Sequence, residues 1–104
     1  MPPSGFSEPA IAGLRTFFEV TLGDLKKEVA EGKHASLQSG LAFEMGQISL
    51  AMRSTSLQQY EGEILLGTLH FYEQVAAQGE DFALEQVSAI ASLHITEVGE
   101  VVRR

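Results

Sequence analysis

Between His34 and Met52 the chain carries one formal charge, Glu44, in the stretch HASLQSGLAFEMGQISLAM. Its periodicity is helical, but apolar residues fall on two sides of the wheel. A helix that is apolar on more than one side has to be covered on more than one side. A chain of 104 residues has few elements with which to do that. The segment therefore bears both on how the chain folds and on where it meets a partner.

At about 100° per residue, Leu37, Leu41, Met45, Ile48 and Met52 lie within about 80° of one another and form the expected core face. Phe43 and Leu50 lie nearly opposite, flanked by Ser39 and Gly46. Small residues let a second backbone approach, and the two larger ones can insert as knobs. If every other helix of the chain packs on the first face, the second contact comes from another chain. Twofold association is the commonest form, so a homodimer through Phe43, Gly46 and Leu50 is expected.

The remaining sequence reads as three more helices. Residues 1–6 form a Pro-rich arm, followed by a single domain over 7–104. Ser7 reads as an N-cap with Glu8 and Pro9 in the first turn, and Phe6 and Ile11 are spaced as a hydrophobic staple. A helix over about 8–31 carries the stripe Ile11, Leu14, Phe18, Leu22, Leu25 and Val29 and stops at Gly32. Phe17 sits at its edge, and Val20 is isolated. The low-charge helix follows over about 35–53, broken by Ser54, Thr55 and Ser56, with Ser56 and Gln59 at capping-box spacing.

A third helix over about 57–78 has the stripe Leu57, Tyr60, Ile64, Thr68, Phe71 and Val75, widened by Leu65, Leu69, Tyr72 and Ala76, and ends at Gly79. A fourth over about 82–102, capped by Asp81, has Leu84, Val87, Ala91, Ile95, Val98 and Val102, widened by Ile90 and Val101. Gly40, Gly46 and Gly67 read as close-packing positions. Short connections between helices of similar length predict an all-α, antiparallel, up-down-up-down four-helix bundle.

Seven Lys and Arg against fourteen Asp and Glu give a formal charge of −7. Unspecific nucleic-acid binding and attachment to anionic membranes both need a basic face, so neither is expected. No apolar run is long enough for a membrane span, and the N-terminal residues lack the basic-then-apolar order of a secretory signal. Without cysteine there is no disulfide, thiolate site or thiol nucleophile, which accords with a cytoplasmic location.

Chemistry-bearing motifs are sparse. No nucleotide loop, nucleophile elbow or metal-ligand spacing of recognised form is present, so no catalytic residue or cofactor is assigned. Glu44 lies at the border of its helix's core face, where a carboxylate needs a partner such as Arg53. His34 falls in the first turn and reads as solvated. His70 faces the polar side of the third helix beside Glu63 and Glu73. His94 falls inside the apolar stripe of the fourth. His70 with Glu73 and His94 with Glu97 each place two potential ligands on one helix face. Di-iron bundles use the reverse order, Glu-x-x-His, and His70 points away from the stripe of His94.

The leading expectation is a non-enzymatic protein–protein interaction module acting as a homodimer, such as an adaptor, an inhibitor or immunity-type protein, or an assembly subunit. The acidic positions Glu61, Glu63, Glu73, Glu80 and Asp81 would face a basic partner. One alternative is a carboxylate and histidine metal site or small enzyme centred on Glu44, His94 and Glu97. Another is an acidic inhibitor that imitates nucleic acid. The low-charge helix is expected to be the most buried helix of the assembly.

Overall fold

A computed structural model describes residues 8–53 and 59–95, and every regular element among them is helical. α1 spans Glu8–Ala30, α2 Leu37–Ala51, α3 Gln59–Gln78, α4 Glu80–Glu85 and α5 Val87–His94. The Pro-rich arm, the Ser7 cap, the staple, the Ser56 cap and the stripe beyond Ile95 lie outside the described residues.

The apolar stripe of α1 is the wall of the core. Leu14, Phe18, Leu22 and Leu25 are buried, with Ala10, while Ile11 and Phe17 pack at its margin. The helix stops where a left-handed residue is needed. Gly32 has φ +84°, its N–H donates to Val29 O at 3.0 Å, and Lys33 N–H donates to Glu28 O at 2.9 Å. That pair of bonds satisfies carbonyls the helix end would otherwise leave open, and only glycine adopts the required φ without strain.

Ser36 then caps α2, its side chain accepting a hydrogen bond from Ser39 N at 3.1 Å. Leu41 and Ile48 are buried, and Leu37, Met45 and Met52 pack on the core beside them, so the core face of α2 is the one the spacing predicts. Within a single chain α2 is not the most buried helix. Only Gly40, Leu41 and Ile48 of α2 are buried, because its neighbours α1 and α3 cover one of its two apolar sides.

α3 packs against α2, α4 and α5. Phe71, Tyr72 and Val75 are fully or almost fully buried, and the buried Thr68 hydroxyl donates to Ile64 O at 2.7 Å, which removes the cost of an unpartnered hydroxyl. Gly67 makes room for Ile95, the residue that follows α5. A Cβ there would lie 2.5 Å from Ile95 Cδ1 and 2.9 Å from Ile95 Cγ1, inside van der Waals contact. Gly40 serves the α1–α2 contact likewise, with Leu25 Cδ1 2.9 Å from where a Cβ would stand. Gly46, in contrast, has no neighbour there within 4 Å and is not a close-packing position within the chain.

The fourth expected helix differs from its sequence reading in two ways. It begins earlier, with Gly79 as N-cap at φ 100°, so Glu80 and Asp81 occupy the first turn and Asp81 is not the cap. It is also interrupted at Gln86 (φ −92°, ψ 5°) and left by Ile95 in extended conformation. The apolar register survives the interruption, and Ala83, Val87, Ile90, Ala91 and Ile95 are all buried.

Candidate functional site

Two features stand apart from ordinary core and solvated surface. The first is the outer side of α2. Its exposed residues are Gln38, Ser39, Ala42, Phe43, Gly46, Gln47, Ser49, Leu50 and Ala51, and none carries a charge. Phe43 is 52% and Leu50 59% exposed, values characteristic of surface rather than core. The ring of Phe43 lies tilted against that of His34, with centroids 5.4 Å apart.

The second feature is a cleft of about 250 Å³ where α1, α2 and α3 meet. Thr21, Asp24, Leu25 and Glu28 line it from α1, Glu44 from α2 and Tyr72 from α3. The α1 residues share one helix face because they are spaced three and four apart. Leu25 turns toward the core, while Asp24 is exposed and Glu28 half-buried. Glu44 is half-buried at the border of its core face, where the wheel places it. Among the described residues it makes no ion pair with Arg53 or any other cation. Its environment is instead the cleft and the phenol of Tyr72.

Tyr72 is 1% exposed. Its hydroxyl is held well above the ordinary phenol range, first by burial and then by the negative charges of Glu44, Glu28 and Asp24. Each factor disfavours a phenolate, so the group remains a neutral donor and acceptor at physiological pH. No side-chain nitrogen or oxygen that is itself fully enclosed lacks a partner among the described residues.

The histidines separate in the structure. His34 is not solvated as the sequence suggests; its side chain is 12% exposed and Nε2 lies 3.2 Å from Glu28 Oε1. A carboxylate only accepts, so the ring nitrogen is the donor. Gly40 leaves room for that ring, since a Cβ there would meet His34 Cδ2 at 3.3 Å. His70 is half-buried with Nδ1 3.9 Å from Glu73 Oε1, as the three-residue spacing implies. The side chain of His94 and all of Glu97 lie outside the described residues. Among those described, no three histidine or carboxylate groups come together as a metal site.

The acidic positions do not form the exposed set expected of them. Glu73 and Asp81 are exposed, whereas Glu61, Glu63 and Glu80 are half-buried, and Glu80 is paired with Lys26 of α1. Asp24, Glu28 and Tyr72 were not legible as site residues. Two carboxylates four apart beside a buried leucine were the available signal, since like charges at that spacing disfavour an isolated helix. No helix among the described residues is long and apolar enough to cross a membrane. No family model, curated protein or solved structure matches the chain.

Proposed function

We propose that this chain is a non-enzymatic helical protein–protein interaction module that works as a homodimer. Its scaffold is read as an antiparallel four-helix bundle in which α4 and α5 together act as the fourth helix. The succession of neighbours supports that reading. α1 lies beside α2, α2 beside α3, α3 beside α4 and α5, and these return to α1.

The observation that carries the dimer is the uncharged outer side of α2, with Phe43 and Leu50 half or more exposed. Two copies of a chain with formal charge −7 repel, and like charges set face to face are strongly unfavourable. Self-association is therefore cheapest on a surface without charge. The open space over Gly46 lets a second helix approach, and a twofold axis would set Phe43 and Leu50 of each copy against the other.

The reading is tested by placing a charge on that face. Phe43→Glu and Leu50→Glu should each convert the dimer to monomer in size-exclusion chromatography with light scattering. Phe82→Glu on α4, an exposed apolar position on a helix that does not pack beside α2, should leave it dimeric. A wild-type dimer that persists in both α2 variants would show that the face is wrongly assigned.

A further inference from the structure

We propose that the cleft between α1, α2 and α3 binds an organic cation, the ammonium or guanidinium end of an amine-bearing ligand, between Asp24, Glu28, Glu44 and Tyr72.

The carboxylates alone would not carry this, because acidic clusters on acidic proteins are usually solvated surface. Tyr72 distinguishes the cleft. Its side chain is almost wholly buried, it lines the cleft, and among the described residues its hydroxyl makes no hydrogen bond to the protein. The hydroxyl is not sealed off, since no enclosed side-chain oxygen is left unpartnered. A buried ring has thus delivered one polar atom into a cleft of carboxylates without using it.

Charge decides the sign of the ligand. Among the described residues Asp24 and Glu44 have no cationic partner, and Glu28 has only His34. Of the nearby lysines, Lys26 pairs with Glu80 and Lys33 with Glu31, while Lys27 is exposed and pairs with none of the cleft carboxylates. Negative charge facing a partly enclosed space attracts a cation more strongly than the same charge on open surface.

Composition decides between metal and organic cation. A hard metal ion needs several oxygen ligands converging on one point, and no such grouping exists among the described residues. An ammonium or guanidinium group instead donates several separate hydrogen bonds spread over several ångströms. The Tyr72 oxygen accepts one of these while its own O–H turns to a carboxylate. Leu25 and Tyr72 bring apolar atoms to the lining against which the attached methylenes can rest. A volume of about 250 Å³ is below that of drug-sized pockets and suits a side-chain-sized group.

The test is a titration of the isotope-labelled full chain followed by amide NMR. Putrescine stands for a free small amine and N-acetyl-arginine amide for an arginine side chain of a protein. Sodium chloride at matched ionic strength is the blank. Saturable shifts confined to residues 21–28, Glu44 and Tyr72, with either organic probe and not with salt, are the expected result. The stronger of the two probes identifies the source. Glu44→Gln and Tyr72→Phe, each checked for unchanged helicity, should weaken binding by about tenfold, the scale of one charge-assisted hydrogen bond. Glu73→Gln, on the exposed side of α3, should not. Shifts reproduced by salt alone, no saturation with either probe up to about 10 mM, or equal affinity in Glu44→Gln and Tyr72→Phe would each overturn the assignment. Neither Phe43 nor Leu50 lines the cleft, so the titration and the test of the dimer are read separately.

Discussion

Phe18 of α1 and Phe71 of α3 stack with ring centroids 4.6 Å apart and planes 10° from parallel. Both rings are fully buried. The pair joins α1 to α3 across the core. Around it Phe17 and Tyr72 add tilted contacts at 5.7 Å and 6.0 Å. Aromatic pairs of this kind add to the burial of their area.

Truncating Phe71 to alanine should accordingly cost about 3–5 kcal/mol, the range for a buried aromatic leaving a cavity. Phe71→Leu should cost less because it refills part of the space. Chemical denaturation gives both values. A loss below about 1 kcal/mol for Phe71→Ala would show that the stack is not central to the fold.

The glycines predict opposite signs for the same substitution. Gly23 is exposed in the interior of α1 with nothing within 4 Å of an added Cβ, so Gly23→Ala should stabilise by about 0.5–1 kcal/mol. Gly67→Ala drives a Cβ into Ile95, and overpacking of about 1–3 kcal/mol outweighs the helical gain. Adding Ile95→Val removes the nearest atom and should restore part of the loss. Gly32→Ala should cost about 1–2 kcal/mol for its left-handed backbone. Thermal melts of the single variants measure each sign.

These positions also show what the sequence makes legible. The stripe of α1 from Leu14 to Leu25 and the stops at Gly32 and Gly79 are readable, because spacing and glycine chemistry act locally. The interruption at Gln86 is not. Glutamine is a good helix former, and the apolar spacing from Ala83 to Ile95 runs through the break unchanged, so tertiary packing decides it. The border position of Glu44 is readable from the wheel. Its company is not, because Asp24 and Glu28 come from α1 and Tyr72 from α3, and they meet Glu44 only when those helices pack.

Tyr72 makes a pH prediction. Its hydroxyl is raised from the ordinary 10.0 by burial and then by Glu44, Glu28 and Asp24. Above that ordinary value the folded chain keeps a proton that the unfolded chain has released. Its contribution to stability is therefore complete below pH 10 and lost as pH rises beyond it. Wild type should lose stability more steeply in alkali than Tyr72→Phe. Glu44→Gln should let the phenol ionise at lower pH, measured by phenolate absorbance. Identical alkaline curves for wild type and Tyr72→Phe would contradict the buried, negatively flanked hydroxyl.

The Lys26–Glu80 pair ties α1 to the start of α4, with side chains 47% and 37% exposed. Solvent screens it at that exposure, so Lys26→Met should cost less than about 1 kcal/mol and the difference should fade in high salt. Denaturation at two salt concentrations measures it.

The uncharged side of α2 makes the central claim a matter of mass. Sedimentation equilibrium at roughly tens of micromolar should give wild type twice the 11.3 kDa of one chain, and Phe43→Glu the mass of one chain under the same conditions. A wild-type mass of 11.3 kDa at that concentration would contradict the dimer, and with it the function proposed for Phe43, Gly46 and Leu50.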